Sequence, residues 1–247
     1  MEKQLGNNQI IIKTDIWLSK ILEKKVFNIT FPQKKINYIE LKNLIFNRKS
    51  YYKNKEIFFY SKVNTDNKNQ NNALKLCNFK LITQELVFEK ITKKIKNKYM
   101  LNDTGLFLQK DRFQLLKISK NNFKYSRFHL DNKITKKKAN LIKLKWLNNF
   151  FLKKRGTDLI VSKIKKKPVG FLLLIKTKDT IIIDLIAVDK SYTGRGFATS
   201  MINYLEYYYK SKRIYVGTQK NNFHSISLYK KMKFKICRKY NSYHLHI

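Results

Sequence analysis

The chain has 247 residues, 43% of them hydrophobic and 14% aromatic, which is material for one large or two small packed domains and excludes wholesale disorder. Lysine and arginine number 54 against 16 acids, a formal charge of +38, so on charge alone a polyanion such as nucleic acid stands first among partners. Lys, Asn, Ile and Tyr are inflated together while Gly and Pro are scarce, which points to drift toward AT-rich codons rather than to a selected basic patch. Cys77 and Cys237 have no Cys-x-x-Cys spacing, so neither a disulfide framework nor a zinc site is indicated, and both are expected in the core. The opening MEKQLGNNQIII does not read as a secretory signal, and the longest apolar runs, 169–175 and 181–188, fall short of the ~20 residues of a membrane span. A cytoplasmic protein is expected.

Apolar segments at 10–12 and 57–60 precede an Asn- and Lys-rich stretch, 64–72, that is predicted as a loop. Residues 73–81 echo 227–236, each a helix-like stretch reaching a Phe that opens a strand. Residues 113–118 are predicted as a short strand. A helix follows, with Thr135 as its cap and Ala139, Ile142, Trp146 and Phe150 along one face. Runs at 159–164, 169–176 and 181–188 are short, β-branched and bounded by turn signals, as in an antiparallel meander. After a glycine-bearing loop at 191–198 comes a helix marked by Ala198, Met201, Ile202, Leu205 and Tyr208. A strand is predicted at 213–218, a short helix at 222–232, and one or two strands from Phe234 onward. Strands that form a meander and then alternate with helices give an α/β (α+β) chain with a mixed sheet.

Chemistry concentrates at two places. Gly194 and Gly196 clear side chains from a strand-to-helix turn, where free N–H groups and the helix dipole favour a pyrophosphate, with Arg195 adding a charge. Downstream, Asn222-Phe223-His224-Ser225-Ile226-Ser227-Leu228-Tyr229 leads to Phe234. Gly-x-Gly-x-Ala followed by Asn-x-x-Ser-x-x-Leu-Tyr and that Phe resembles the acetyl-CoA-binding core of the GNAT N-acetyltransferases. Ser126-Arg127-Phe128-His129-Leu130-Asp131 and Gly217-Thr218-Gln219-x-Asn221-Asn222 are similar to the sugar-nucleotide branch of that family, the TDP-fucosamine acetyltransferases.

The resemblance implies a GNAT fold over 111–247, a mixed, mostly antiparallel sheet flanked by helices, after a smaller divergent α/β domain over 1–110. The 73–81 echo leaves open whether that first domain is a degenerate GNAT-like half. It implies acetyl-CoA as co-substrate, with Ile186, Ala187 and Val188 pairing to the pantetheine arm and Thr193, Gly194, Arg195, Gly196, Phe197, Ala198 and Thr199 holding the pyrophosphate. Asn222 would contact coenzyme A near the reacting end, and Tyr229 would protonate the departing thiolate. Ser126, Arg127 and His129 would meet the nucleotide sugar, Arg127 through phosphate; His129 reads equally as a satisfied core histidine.

No general base stands out. Asp184 breaks an apolar strand and is either that base or a solvent-facing acid. His244 and His246 share a face in a strand, but the chemistry requires no metal and none is expected. Lys190, Thr193 and Lys233 depart from the family pattern, Lys233 standing where a glycine normally precedes the Phe. The expected function is transfer of acetyl to the amino group of a dTDP-4-amino-4,6-dideoxygalactose-type sugar for bacterial surface polysaccharide, with no membrane span and no nucleic acid. The alternatives are acetylation of a protein N-terminus or other small amine, and a basic nucleic-acid-binding protein on a decayed scaffold. Oligomeric state stays open, a homodimer included.

Overall fold

In the computed structural model the described residues are 9–32, 35–92, 103–209 and 212–247; residues 1–8 of the N-terminal stretch read above lie outside them. In chain order the elements are β1 (Ile11–Thr14), α1 (Ile16–Leu22), β2 (Lys25–Thr30), α2 (Tyr38–Tyr51), β3 (Ile57–Asn64), α3 (Lys68–Leu76), β4 (Lys80–Ile91), β5 (Thr104–Leu106) and α4 (Arg112–Asn121). They continue with α5 (Arg127–Leu130), α6 (Lys136–Phe151), β6 (Asp158–Ile164), β7 (Lys167–Lys176), β8 (Thr180–Val188), α7 (Phe197–Tyr209), β9 (Arg213–Gln219), α8 (Phe223–Lys231) and β10 (Lys235–His246). None of the described helices is long and apolar enough to cross a membrane.

Two compact units are interleaved in sequence. The first is Met1–Glu85, Leu130–Lys133 and Arg238–Ile247; the second is Leu86–His129 and Ile134–Cys237. Against the expected division at 110/111, the chain enters the second unit earlier and returns to the first for its last residues.

In the first unit β1 and β2 are antiparallel, β2 and β3 run parallel from Lys25↔Ile57 to Ile29↔Ser61, and β10 lies antiparallel on β3 from Tyr240↔Asn64 to His246↔Phe58. Phe27, Ile29, Ile57, Phe59, Leu74 and Tyr243 are buried together, each apolar side chain contributing about 2 kcal/mol of transfer free energy. Of the predicted loop at 64–72 only 65–67 is a turn; Asn64 ends β3 and 68–72 open α3. Asn67 caps the helix by accepting from Gln70 N–H, and the polar side chains that made the stretch look loop-like are used inside. Gln70 Nε2 donates to Pro32 O (2.8 Å), Asn71 Nδ2 to Asn67 O (2.7 Å), and Tyr243 Oη donates to Asn71 Oδ1 (3.0 Å).

In the second unit β5, β6, β7 and β8 are antiparallel neighbours and β9 adds in parallel to β8, the mixed, mostly antiparallel sheet read from the sequence. One face packs Leu172, Leu174, Ile181 and Ile183 against Met201, Ile202 and Leu205 of α7 and Tyr229 of α8. The other packs Phe171, Leu173, Leu185 and Ala187 against Leu115 and Ile118 of α4 and Leu147 of α6. Residues 113–118, predicted as a strand, lie in α4. Its apolar positions 113, 115, 116 and 118 fit either period over six residues, and burial of Leu115, Ile118 and Ser119 with Phe113 left 81% exposed shows the helical one. α6 begins as read, Thr135 Oγ1 accepting from Lys138 N–H. Cys77 is buried, whereas Cys237 is exposed, correcting its assignment to the core.

The echo between 73–81 and 227–236 is a shared turn. α3 and α8 each end in a left-handed residue, Asn78 (φ 62°) and Lys233 (φ 65°). The Phe that follows sends its N–H back five residues, Phe79 to Leu74 O (3.0 Å) and Phe234 to Tyr229 O (2.9 Å), closing a Schellman motif before the strand.

Candidate active site

Between β8 and α7 the chain makes a short turn. Asp189 Oδ1 accepts from Ser191 N–H (3.1 Å), and Thr193 Oγ1 donates to Lys190 O (2.5 Å). Gly194 and Gly196 then take positive φ, 81° and 84°, and a Cβ added at either would meet nothing within 4 Å. The glycines thus serve the backbone path and leave clear space before it. The first helical bond of α7 is Ser200 N–H to Gly196 O (2.9 Å), so the amides of Phe197, Ala198 and Thr199 have no acceptor within the helix. Phe197 is buried and anchors the turn, Ala198 and Thr199 are half-buried, and residues 193–196 are exposed, with the Arg195 guanidinium 5.4 Å from the Tyr192 ring centre. Free amides, the helix dipole and an exposed cation lie together at this turn, an arrangement that favours an anion.

β8 and β9 part beside this turn. Their pairing runs from Thr180↔Arg213 to Ile183↔Val216, while β8 continues to Val188, paired among the described residues on its β7 side. The register on β7 slips between Leu173↔Leu185 and Leu174↔Ile183, so Asp184 is the extra residue of a bulge. The slip resets which way side chains point. Ile183, Ile186 and Val188 face the α7/α8 side, and Leu185 and Ala187 face α4 and α6. The open edge of 185–188 offers main-chain groups to an extended ligand arm, as an added strand would use them.

Tyr229 lies on the α7/α8 side, 2% exposed, its ring near Phe88 and Phe234. Burial pushes its phenol well above the ordinary value, with a hydrogen bond from Ser225 working the other way. Asn222 caps α8 and is heavily committed: Oδ1 accepts from Ser225 N–H, and Nδ2 donates to Thr218 Oγ1 (3.1 Å) and Ser225 Oγ (2.8 Å). Asn222 thus holds Ser225 one helical turn before Tyr229, on the same side of α8. The sequence motif includes Ser225 without giving it a role, although its i+3 and i−4 spacing to those two residues was visible.

The acetyltransferase (GNAT) family profile matches residues 124–234, a span that contains the glycine turn, the parted strands and Tyr229. Residues 124–234 are a GNAT acetyltransferase domain. Over 138 residues the chain is 29% identical to the spore coat polysaccharide biosynthesis protein SpsD of Bacillus subtilis, covering 55% of this chain and 47% of that protein. Over 57 residues it is 39% identical to a probable spermine N(1)-acetyltransferase of Bacillus subtilis subsp. natto, covering 22% and 38%. The chain thus spans less than half the length of these curated relatives. The fold matches that of a GCN5-related N-acetyltransferase from Sphaerobacter thermophilus with a TM-score of 0.64 at 10% identity, over 96% of this chain and 76% of that one.

In the GNAT domain the segment expected to meet the acceptor lies between α4 and α6. Ser126 Oγ is 2.6 Å from His129 Nδ1, and His129 Nε2 is 2.9 Å from Asn140 Oδ1. With Asn140 as acceptor, Nε2 carries the hydrogen and Nδ1 receives the Ser126 hydroxyl. Burial holds the His129 imidazole below its ordinary pKa, helped by the charges of Lys143 and Lys136 and opposed by the Asn140 bond. Arg127 is half-buried, its guanidinium 4.3 Å from the Phe128 ring centre. Ser126 and His129 thus come together, and Asn140, unmarked in the sequence, completes the group.

Asp184 neither faces solvent nor stands ready as a base. Its carboxylate is 7% exposed and takes three hydrogen bonds, from Arg155 Nε and Nη2 (2.6 Å each) and Trp146 Nε1 (2.8 Å). An acid at a bulge inside a sheet must be paired, and Arg155 supplies the pairing.

Proposed function

We propose that this protein transfers an acetyl group from acetyl-CoA to the amino group of a nucleotide-linked amino sugar, by direct attack in a ternary complex. The observation that carries the reading is the parting of β8 from β9 beside a glycine turn whose amides open onto clear space. In this reading residues 193–199 hold the diphosphate, Ile186, Ala187 and Val188 pair with the pantetheine arm, and acetyl-CoA supplies the activated thioester. Asn222 fixes Ser225, which orients the Tyr229 hydroxyl toward the sulfur. The same apolar wall that raises the phenol also raises a thiolate formed against it, so the proton transfer is not disfavoured by burial alone.

The sugar-nucleotide acceptor is supported by the Ser126–Asp131 stretch and by the similarity to a protein named for polysaccharide biosynthesis. Charge supports it as well: a +38 chain attracts dianionic nucleotide sugars and repels a polycation such as spermine. Arg127 is suited to the acceptor's phosphates, and Ser126 and His129 to its hydroxyls. The test is thiol release from acetyl-CoA with three acceptor sets: amino-sugar nucleotides, spermine, and peptides with free N-termini. Turnover with the first set alone is the expected outcome. Preference for spermine or peptides would replace the acceptor, and no turnover together with tight binding of single-stranded nucleic acid would favour the non-catalytic alternative.

The first unit reads as a degenerate GNAT-like half. Its order β2-α2-β3-α3-β4, with β2 parallel to β3, repeats β8-α7-β9-α8-β10, and α3 and α8 end in the same turn. Residues 31–37 before α2 contain no glycine, so this half has no second glycine turn for a diphosphate.

A further inference from the structure

Within the first unit three metal-ligating side chains converge that the acetyl-transfer reading does not use. His244 and His246 stand two residues apart on β10 and point to one side. Their donor atoms meet the same carboxylate oxygen: His244 Nδ1 lies 2.6 Å and His246 Nε2 2.8 Å from Asp131 Oδ2. Oδ1 of Asp131 accepts from Lys133 N–H at 2.9 Å. The group is enclosed, with side-chain exposures of 0%, 11% and 2% for His244, His246 and Asp131. Phe58 fixes both rings, stacked on His246 at 4.6 Å and edge-on to His244 at 4.8 Å.

The geometry points to a divalent transition-metal site made by Asp131, His244 and His246, of the class that takes zinc. The three donor atoms lie within 4.8 Å of one another. Ligands on a tetrahedral ion at ~2.0–2.1 Å stand about 3.3–3.4 Å apart, so to admit it each nitrogen must part from the oxygen by roughly 0.5–0.8 Å and the two nitrogens must close by up to roughly 1.4 Å. Two imidazoles and one carboxylate suit Zn²⁺, Co²⁺ or Fe²⁺ better than the oxygen-seeking Mg²⁺ or Ca²⁺.

A hydrogen-bond hub is the rival account, and it leaves His246 Nδ1 buried without a hydrogen-bond partner. Metal binding at Nε2 places the hydrogen on that Nδ1, an unsatisfied donor whose cost is small beside metal–ligand bonding. The site stands on its own residues and does not depend on the acetyl-transfer reading.

The test uses the full chain, freed of metal by chelator dialysis and then titrated with Zn²⁺ or Co²⁺. One zinc per chain is expected at a Kd of about 1 µM or tighter, together with visible absorption of the cobalt form. His246→Ala, the least buried ligand, should lose both signals while keeping its circular dichroism, and Asp131→Asn should lose them too. His224→Ala and Cys237→Ser, exposed groups that could bind zinc adventitiously, should retain them. Wild-type protein that holds no zinc, or a His246→Ala variant that holds as much as wild type, overturns the site. Loss of thermal stability in His246→Ala that is identical with and without zinc leaves the hydrogen-bond hub as the account.

Discussion

Arg155 closes a two-pronged pair on Asp184, Nε to Oδ2 and Nη2 to Oδ1, at the residue where β8 bulges. The carboxylate is buried while the guanidinium is 38% exposed, so removing the arginine strands a charge that water reaches only in part. Arg155→Gln should cost about 2–3 kcal/mol in denaturant unfolding, below the full penalty for a wholly buried pair. Trp146, which donates to the same carboxylate, should report the change in fluorescence. An unfolding midpoint equal to wild type would show that the bulge does not depend on this pair.

Lys233 sits at φ 65°, where a side chain crowds the backbone and glycine does not. Lys233→Gly is expected to stabilise the protein by about 1 kcal/mol, read as a raised thermal midpoint. Asn78→Gly should gain less, because asparagine tolerates the same conformation better. A loss of stability at both sites would contradict the turn geometry.

Gly196→Ala tests the diphosphate cradle. The new methyl meets no protein atom within 4 Å, so the protein should lose only about 1 kcal/mol to backbone strain. The KM for acetyl-CoA should rise by ~10-fold or more, because the methyl enters the space assigned to the ligand. An unchanged KM would move the cofactor elsewhere.

Tyr229→Phe keeps the ring packing against Phe88 and Phe234 and removes the hydroxyl. Turnover should fall by ~10² to 10⁴ with acetyl-CoA affinity nearly intact. Because burial holds the phenol above its ordinary value, Tyr229 should add no alkaline limb to the rate profile below pH ~10. An alkaline limb near pH 9 in wild type that vanishes in the variant would argue against this environment.

His129 links stability to pH. Its folded pKa is depressed, so as pH falls below the ordinary imidazole value of ~6.5 the unfolded chain takes a proton that the folded ring refuses. The contribution is present above that value and is lost on acidification through the folded pKa. His129→Gln should shrink the stability difference between pH 7.5 and pH 5.5; an unchanged difference would assign the acid sensitivity to other groups.

The sequence made the second unit legible because its signals were local and redundant. Thr135 with Ala139 and Ile142 marked α6, and the β-branched runs marked β6 to β8. It misread α3 because Gln70 and Asn71, polar by composition, are buried through hydrogen bonds to residues distant in sequence. It misread α4 because six residues cannot separate two periods. At the candidate site the glycines and Tyr229 were visible through spacing, whereas Arg155 on Asp184 and Asn140 on His129 are long-range pairings that no local pattern encodes.

The first unit includes Arg238–Ile247, so one side of β3 is filled only by residues synthesised after all the rest of that unit. Until those residues are made, β3 carries a bare hydrogen-bonding edge on that side, which invites pairing with neighbouring nascent chains. Pairing on this side of β3 therefore waits for those ten residues, and deleting them should trade folding for aggregation, read by light scattering.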